Sequence, residues 1–192
     1  MKRIISSLLF CIAFSIQMYG QNEYVIADSY APDGSRHTIS YGSSFFKLCT
    51  YTMAIESVIK NNQQTWFLLI QSDDIPKNAL VLLKLFNNDT IELSLSELNT
   101  KEYYTSYSTS FLGNITTNTT KEHEYLARFS ITPNQLDAIA TYGVAKIRIS
   151  TTTDYEEAKW KRDKLGTFIK NEIANINEHL KIYDKPIIYE DF

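Results

Sequence analysis

From Glu23 to about Ser150, apolar and polar residues exchange places at a two-residue period, in short runs bounded by turn residues. That period sends alternate side chains to opposite faces of a strand, so this stretch is held to a sheet with one face turned to a core. A helical bundle is excluded there. The clearest case is a hairpin. Val81, Leu83 and Leu85 share one phase, Asn87-Asn88-Asp89-Thr90 supplies a turn, and Ile91, Leu93 and Leu95 resume the phase opposite Glu92 and Ser94.

Other strands are expected at Arg36–Tyr41, after the Pro32-Asp33-Gly34 turn, at Phe45–Met53, and at Tyr125–Ile131. The run Thr65–Ile70 is continuously apolar, which predicts a strand buried on both faces and ended by Asp73-Asp74-Ile75-Pro76. Tyr103, Thr105, Tyr107, Thr109 and Phe111 share one strand phase, whereas 115–120, nearly all Thr, is expected to be a mobile surface loop.

Two segments carry helix signals. Thr132-Pro133-Asn134-Gln135 is a capping box with Pro at the first helical position, and Gly143 is placed to end that short helix, near 133–142. Thr153-Asp154-Tyr155-Glu156 has the same form. It is followed by Leu165, Phe168, Ile169, Ile173, Ile176 and Leu180 at three- and four-residue steps, which predicts a long helix over about 154–181. Pro186 cannot extend it, so 186–189 is expected to add a short edge strand. The expected fold is mainly β: an antiparallel β-sandwich, with the short helix and with the long C-terminal helix packed on it.

The N-terminus reads as an address. Lys2 and Arg3 precede an apolar run over 4–16, with small and polar residues up to Gly20, the form of a signal peptide over 1–20. The run is short for a membrane span, which takes about 20 residues. Phe10 is too large to precede a lipidated Cys11, so cleavage after Gly20 is the preferred reading, with export to the periplasm or beyond. A single domain over 21–192 follows. Loss of Lys2 and Arg3 moves the net charge from −3 to −5, which disfavours nucleic acid as a partner. Only Cys49 remains, so no disulfide forms within the exported chain.

Catalytic signals are weak. His37, His123 and His179 are far apart, and Ala127 stands where a zinc-protease helix starting at His123-Glu124 needs its second His. No cofactor and no metal site are implied. Ser44/Lys47 and Ser57/Lys60 match Ser-x-x-Lys, a spacing that chance supplies in a chain this rich in both residues. Cys49 reads as a core thiol rather than a nucleophile. Asp73-Asp74 and Glu122/Glu124 read as solvated strand ends rather than a glycosidase pair. The least bland surface is the aromatic set Tyr103, Tyr104, Tyr107 and Phe111 among Thr and Ser, a mixture able to stack on sugar rings. Tyr103, Tyr107 and Phe111 are its candidate ligand-binding residues.

The segments Ile131-Thr132-Pro133, Gln135-Leu136 and 143–149, together with 80–85 and 91–93, resemble a group of small secreted proteins of Gram-negative bacteria. The resemblance implies a β-rich fold with a terminal helix and transfers no active-site residue. These readings converge on an exported, non-enzymatic binding or structural module whose partner is a protein or glycan of the cell envelope. The alternative is an envelope hydrolase acting on glycan or peptide.

Overall fold

A computed structural model describes residues 26–40, 46–48, 51–111 and 114–183; for 46–48, 103–122 and 182–183 it describes the backbone. The strands are β1 (Ile26–Tyr30), β2 (Arg36–Ser40), β3 (Phe46–Leu48), β4 (Tyr51–Lys60), β5 (Gln63–Ser72), β6 (Leu80–Leu85), β7 (Thr90–Phe111), β8 (Asn114–Ile131), β9 (Val144–Ser150) and β10 (Tyr155–Lys159). The helices are α1 (Pro133–Tyr142) and α2 (Leu165–Tyr183). The strands form one open antiparallel sheet in the order β1-β2-β4-β5-β8-β7-β6-β9-β10, with β3 also paired to β4. The fold is therefore mainly β with two helices.

Local chemistry sets the connections. Asn61 and Asn62 both take positive φ (52° and 61°), which makes the two-residue turn between β4 and β5 match the twist of its strands. Asn88 does the same work in the expected 81–95 hairpin, where Val81 stands opposite Leu93. Helix α1 starts with the reciprocal Thr132–Gln135 capping box, and Gly143, at φ 66°, caps its end.

Strand β7 joins the two halves of the sheet. Its first residues pair with β6, and from Leu95 it pairs with β8, with a register shift between Leu95 and Glu97. Such a bulge bends a strand and increases its local twist. Buried residues from both sides of the bend, among them Val81, Leu83, Ile147 and Ile149 with Met53, Ile55, Leu68, Ile70 and Phe129, form one apolar cluster. Helix α2 contributes Leu165, Phe168, Ile169, Ile176 and Leu180 to it, with Ile173 half-buried. Ser40 of β2 also donates to the buried Glu172 carboxylate, and His179 meets Asp28 of β1 at 3.0 Å.

Three expectations are corrected. The long helix begins at Leu165, not near 154. The Thr151 hydroxyl instead accepts the Asp154 N–H in a turn (2.9 Å), and 155–159 is an edge strand on β9. The cap falls instead to Asp163, whose Oδ1 accepts the Gly166 N–H at 2.8 Å. The Thr-rich tract over 115–120 is strand, not loop: Thr116 to Thr120 stand opposite Thr109 to Thr105. Threonine is β-branched and suits a ladder even without an apolar pattern. The single strand expected over Phe45–Met53 is two, with Phe46 opposite Met53. The signal sequence, Cys49 and the edge strand expected at 186–189 lie outside the described residues.

Candidate functional site

Cross-strand partners share a face of a sheet. On the core face of β4, β5 and β8 lie Met53 and Ile55, Leu68 and Ile70, and Ala127 and Phe129, all fully buried. The other face is mixed. There Glu56 stands opposite Ile39 and Phe67, Leu69 opposite Ala54 and Arg128, and Leu126 opposite Gln71 and Asn99. Lys101 stands opposite Glu124. The run Thr65–Ile70 thus buries Leu68 and Ile70 on one face and Leu69 on the other, while Phe67 stays half-buried.

This second face holds a cavity of about 280 Å³. Its apolar wall comes from Ile39, Ala54, Leu69 and Leu126, with Met53 beneath; Thr52, Gln71, Asn99, Thr100, Lys101 and Glu124 supply the polar rim. The volume lies just below the usual range of ligand pockets, about 300–1,000 Å³, so it suits one residue or one sugar unit rather than a long oligomer. No aromatic side chain is among the described residues that line it.

Beside the cavity a chain of polar contacts crosses the same face. Lys60 Nζ donates to Asp33 Oδ2 at 2.6 Å, and Asp33 Oδ1 stands 2.6 Å from Ser35 Oγ. Ser35 Oγ lies 2.9 Å from His37 Nε2, and His37 Nδ1 lies 2.7 Å from Glu56 Oε1. Glu56 Oε2 pairs with Arg128 Nε at 2.9 Å. Arg128 also pairs with Glu97, and the Asn99 amide donates to Glu97 Oε1 at 3.1 Å. The guanidinium covers the Phe67 ring, 4.4 Å from its centroid. Glu56 is only 4% exposed, and His37 and Arg128 face its two oxygens. Hydrogen bonds from Arg128, then Asn99, hold the Glu97 carboxyl below its ordinary value.

Ser35, His37 and Glu56 stand in the order hydroxyl, imidazole, carboxylate, the order of an acyl-transfer triad. Three observations separate them from one. Ser35 is 4% exposed. Its hydroxyl and its backbone N–H both meet Asp33 Oδ1. None of the three residues lines the cavity. Sequence reasoning missed this network, although Ser-x-His in one strand phase was its visible trace.

The sequence-nominated residues do not converge. His123 approaches Glu102 at 3.9 Å and stacks on Tyr125, whereas His179 meets Asp28 and His37 meets Glu56. Asp74 accepts from the Thr152 N–H and hydroxyl, closing a loop contact. Ser57 and Lys60 are three apart on a strand and so face opposite sides; Ser57 accepts from Gln64, and Lys60 reaches Asp33. Of the carboxylates, Glu124 reaches the cavity rim. The backbones of Tyr103, Tyr107 and Phe111 stand opposite Glu122, Asn118 and Asn114, in the phase of Asn99 and Lys101; their side chains lie outside the described residues, as do Ser44 and the Glu122 side chain. Among the described residues no group of three or more His, Cys, Asp or Glu is placed to hold a metal, and no helix is long and apolar enough to cross a membrane. Comparison with protein families, with curated proteins and with solved structures finds no match to this chain.

Proposed function

We propose that this is an exported, non-enzymatic binding module whose cavity seats one aliphatic residue of a peptide segment from an envelope protein. The carrying observation is the cavity wall itself. Ile39, Ala54, Leu69 and Leu126 offer an aliphatic surface, while the Gln71 and Asn99 amides and the Thr52 hydroxyl stand at its rim with hydrogen-bonding capacity suited to peptide groups. Lys101 and Glu124 supply one charge of each sign, which favours a dipolar ligand over a strongly charged one. The same reading takes the sheet as folded at the β7 bulge into a sandwich, with α2 packed over β2 and β4 as a further layer. The shared apolar cluster supports both statements.

The test is a methyl NMR titration of residues 21–192 with short Leu- or Val-containing peptides, and with maltose as the comparison sugar. Shifts confined to the methyls of Ile39, Leu69 and Leu126, lost in an Ala54→Phe variant that fills the cavity, are expected with peptide. Shifts with maltose alone would replace the peptide reading by a glycan one. No shift with either would remove the cavity from the protein's function. Export is tested by intact mass of the periplasmic form, which should begin at or within a few residues of Gln21; retained Met1, or acyl chains on Cys11, would overturn it.

A further inference from the structure

The polar chain from Lys60 to Asn99 ends at the cavity, and its middle member is a histidine. Histidine is the side chain that gains or loses a charge near neutral pH. Counting protons along the chain shows what that charge does. Ser35 Oγ carries one proton and has two claimants, Asp33 Oδ1 at 2.6 Å and His37 Nε2 at 2.9 Å. His37 Nδ1 faces the Glu56 carboxylate, which only accepts, so Nδ1 carries a proton in either charge state. With neutral His37, Nε2 is bare, and the Ser35 hydroxyl is the donor that satisfies it. With cationic His37, Nε2 donates to Ser35 Oγ, and the hydroxyl turns to Asp33. Protonation therefore reverses the Ser35–His37 bond and sets a full positive charge against Glu56.

Glu56 is shared. Its second oxygen holds Arg128, and Arg128 in turn holds Glu97. A cation at His37 satisfies more of the Glu56 charge and leaves Arg128 to pair more closely with Glu97. Glu97 then accepts more weakly from the Asn99 amide, which lines the cavity. Among the described residues the charged groups facing His37 on this side of the sheet are Glu56 and Lys60 of β4, Asp33 of the preceding turn, Arg128 of β8 and Glu97 of β7. Asp28 and Arg36 pair with one another, and Thr38 also donates to Asp28, in the opposite strand phase from His37.

We propose that His37 is a positioning residue for the cavity: its protonation state is carried through Glu56, Arg128 and Glu97 to the Asn99 amide, and an acidic medium frees that amide for a ligand. The regulatory meaning rests on the cavity being the binding site; the coupling itself does not. It is measured on the protein alone, by following the Asn99 side-chain amide resonances and the His37 ring resonances together through a pH titration. The Asn99 resonances are expected to shift with the His37 midpoint. In Glu97→Gln, at an exposed position that keeps the fold, His37 still titrates and Asn99 ceases to follow. His123→Gln leaves the Asn99 titration unchanged, and His37→Gln, where it folds, flattens it. Asn99 resonances that stay fixed while His37 titrates, that follow His123, or that still track His37 in Glu97→Gln would overturn the coupling. None of these outcomes depends on a ligand, so failure here is distinct from failure of the binding reading.

Discussion

Gly166 faces the Asp163 carboxylate so closely that a Cβ on Gly166 would lie 2.6 Å from Oδ1. The same oxygen accepts the N–H of Gly166 at 2.8 Å and that of Val144 at 3.0 Å, so one carboxylate joins the start of α2 to the start of β9. A Cβ on Gly143 would likewise lie 2.7 Å from the Asp163 carboxyl. The pocket around this cap has no room for a methyl group.

Gly166→Ala is therefore expected to destabilise, although alanine is the better helix former by about 1 kcal/mol. The carboxylate must swing away, which gives up a cap worth about 0.5–2 kcal/mol and strands the buried Val144 N–H, about 1–3 kcal/mol. A net loss of about 0.5–4 kcal/mol should appear in urea unfolding. In an Asp163→Ala background the cost of Gly166→Ala should vanish or reverse, because the two residues act as a unit. Additive effects would mean that the carboxylate is not what limits Gly166.

Arg128 offers a second test. Removing its charge leaves Glu56 buried with His37 as its remaining partner, and also deprives Glu97. Arg128→Met should cost about 3–5 kcal/mol, the usual loss on breaking a buried pair from one side. Adding Glu56→Gln should recover part of it, since the stranded charge is then gone. If the single change proves neutral by thermal melting, the network is solvated in a way its burial does not suggest.

The fold was legible where the chain's pattern is local. The 81–95 hairpin, the Thr132–Gln135 cap and the α2 stripe each depend on neighbours a few residues away, and each stands where it was expected. The helix start was misread because a Thr hydroxyl can accept a backbone N–H in a turn as well as at a helix end; here Thr151 accepts that of Asp154 in a hairpin. The Ser35–Asn99 network was out of reach for a different reason. It needs β5 beside β8, a pairing of Trp66 with Ile131 that nothing within either strand specifies. Arg128, on the outward phase between Ala127 and Phe129, reads in sequence as one more solvated residue.

Acid should weaken the protein through its exposed edge. Hydrogen bonds from Lys146, then Arg148, lower the Glu157 carboxyl to about 2, with Lys159 adding to them. A carboxyl lowered on folding gives stability that is complete above its unfolded value, about 4.3, and is lost as the pH falls through its folded one. The contribution of Glu157 should thus fade between about pH 4.3 and the folded value near 2. Asp28 behaves likewise: burial alone would raise it, but Arg36 and His179 outweigh that and hold it below its ordinary value. Unfolding curves collected over this range should show Glu157→Gln flattening part of the acid dependence, and added salt doing so too, since the edge is screened. An unchanged acid slope in Glu157→Gln would place the dependence on other carboxylates.

The helix stripe is the last test, and it bears on whether α2 belongs to the core. Ile169 and Ile176 are fully buried, and Glu172 between them is buried against Ser40 of β2, whereas Ile173 is half-buried. Truncating a fully buried Ile leaves a cavity that a packed interior fills only in part, so Ile169→Ala should cost about 2–5 kcal/mol. Ile173→Ala should cost less, because water already reaches that side chain. Ile173→Asp should be worse than Ile173→Ala, as it sets a charge against the apolar layer with Glu172 one residue away. Equal and negligible losses at 169 and 173 would mean that α2 detaches from the sheet in solution. A larger loss at 169 than at 173 is the outcome that the burial pattern requires.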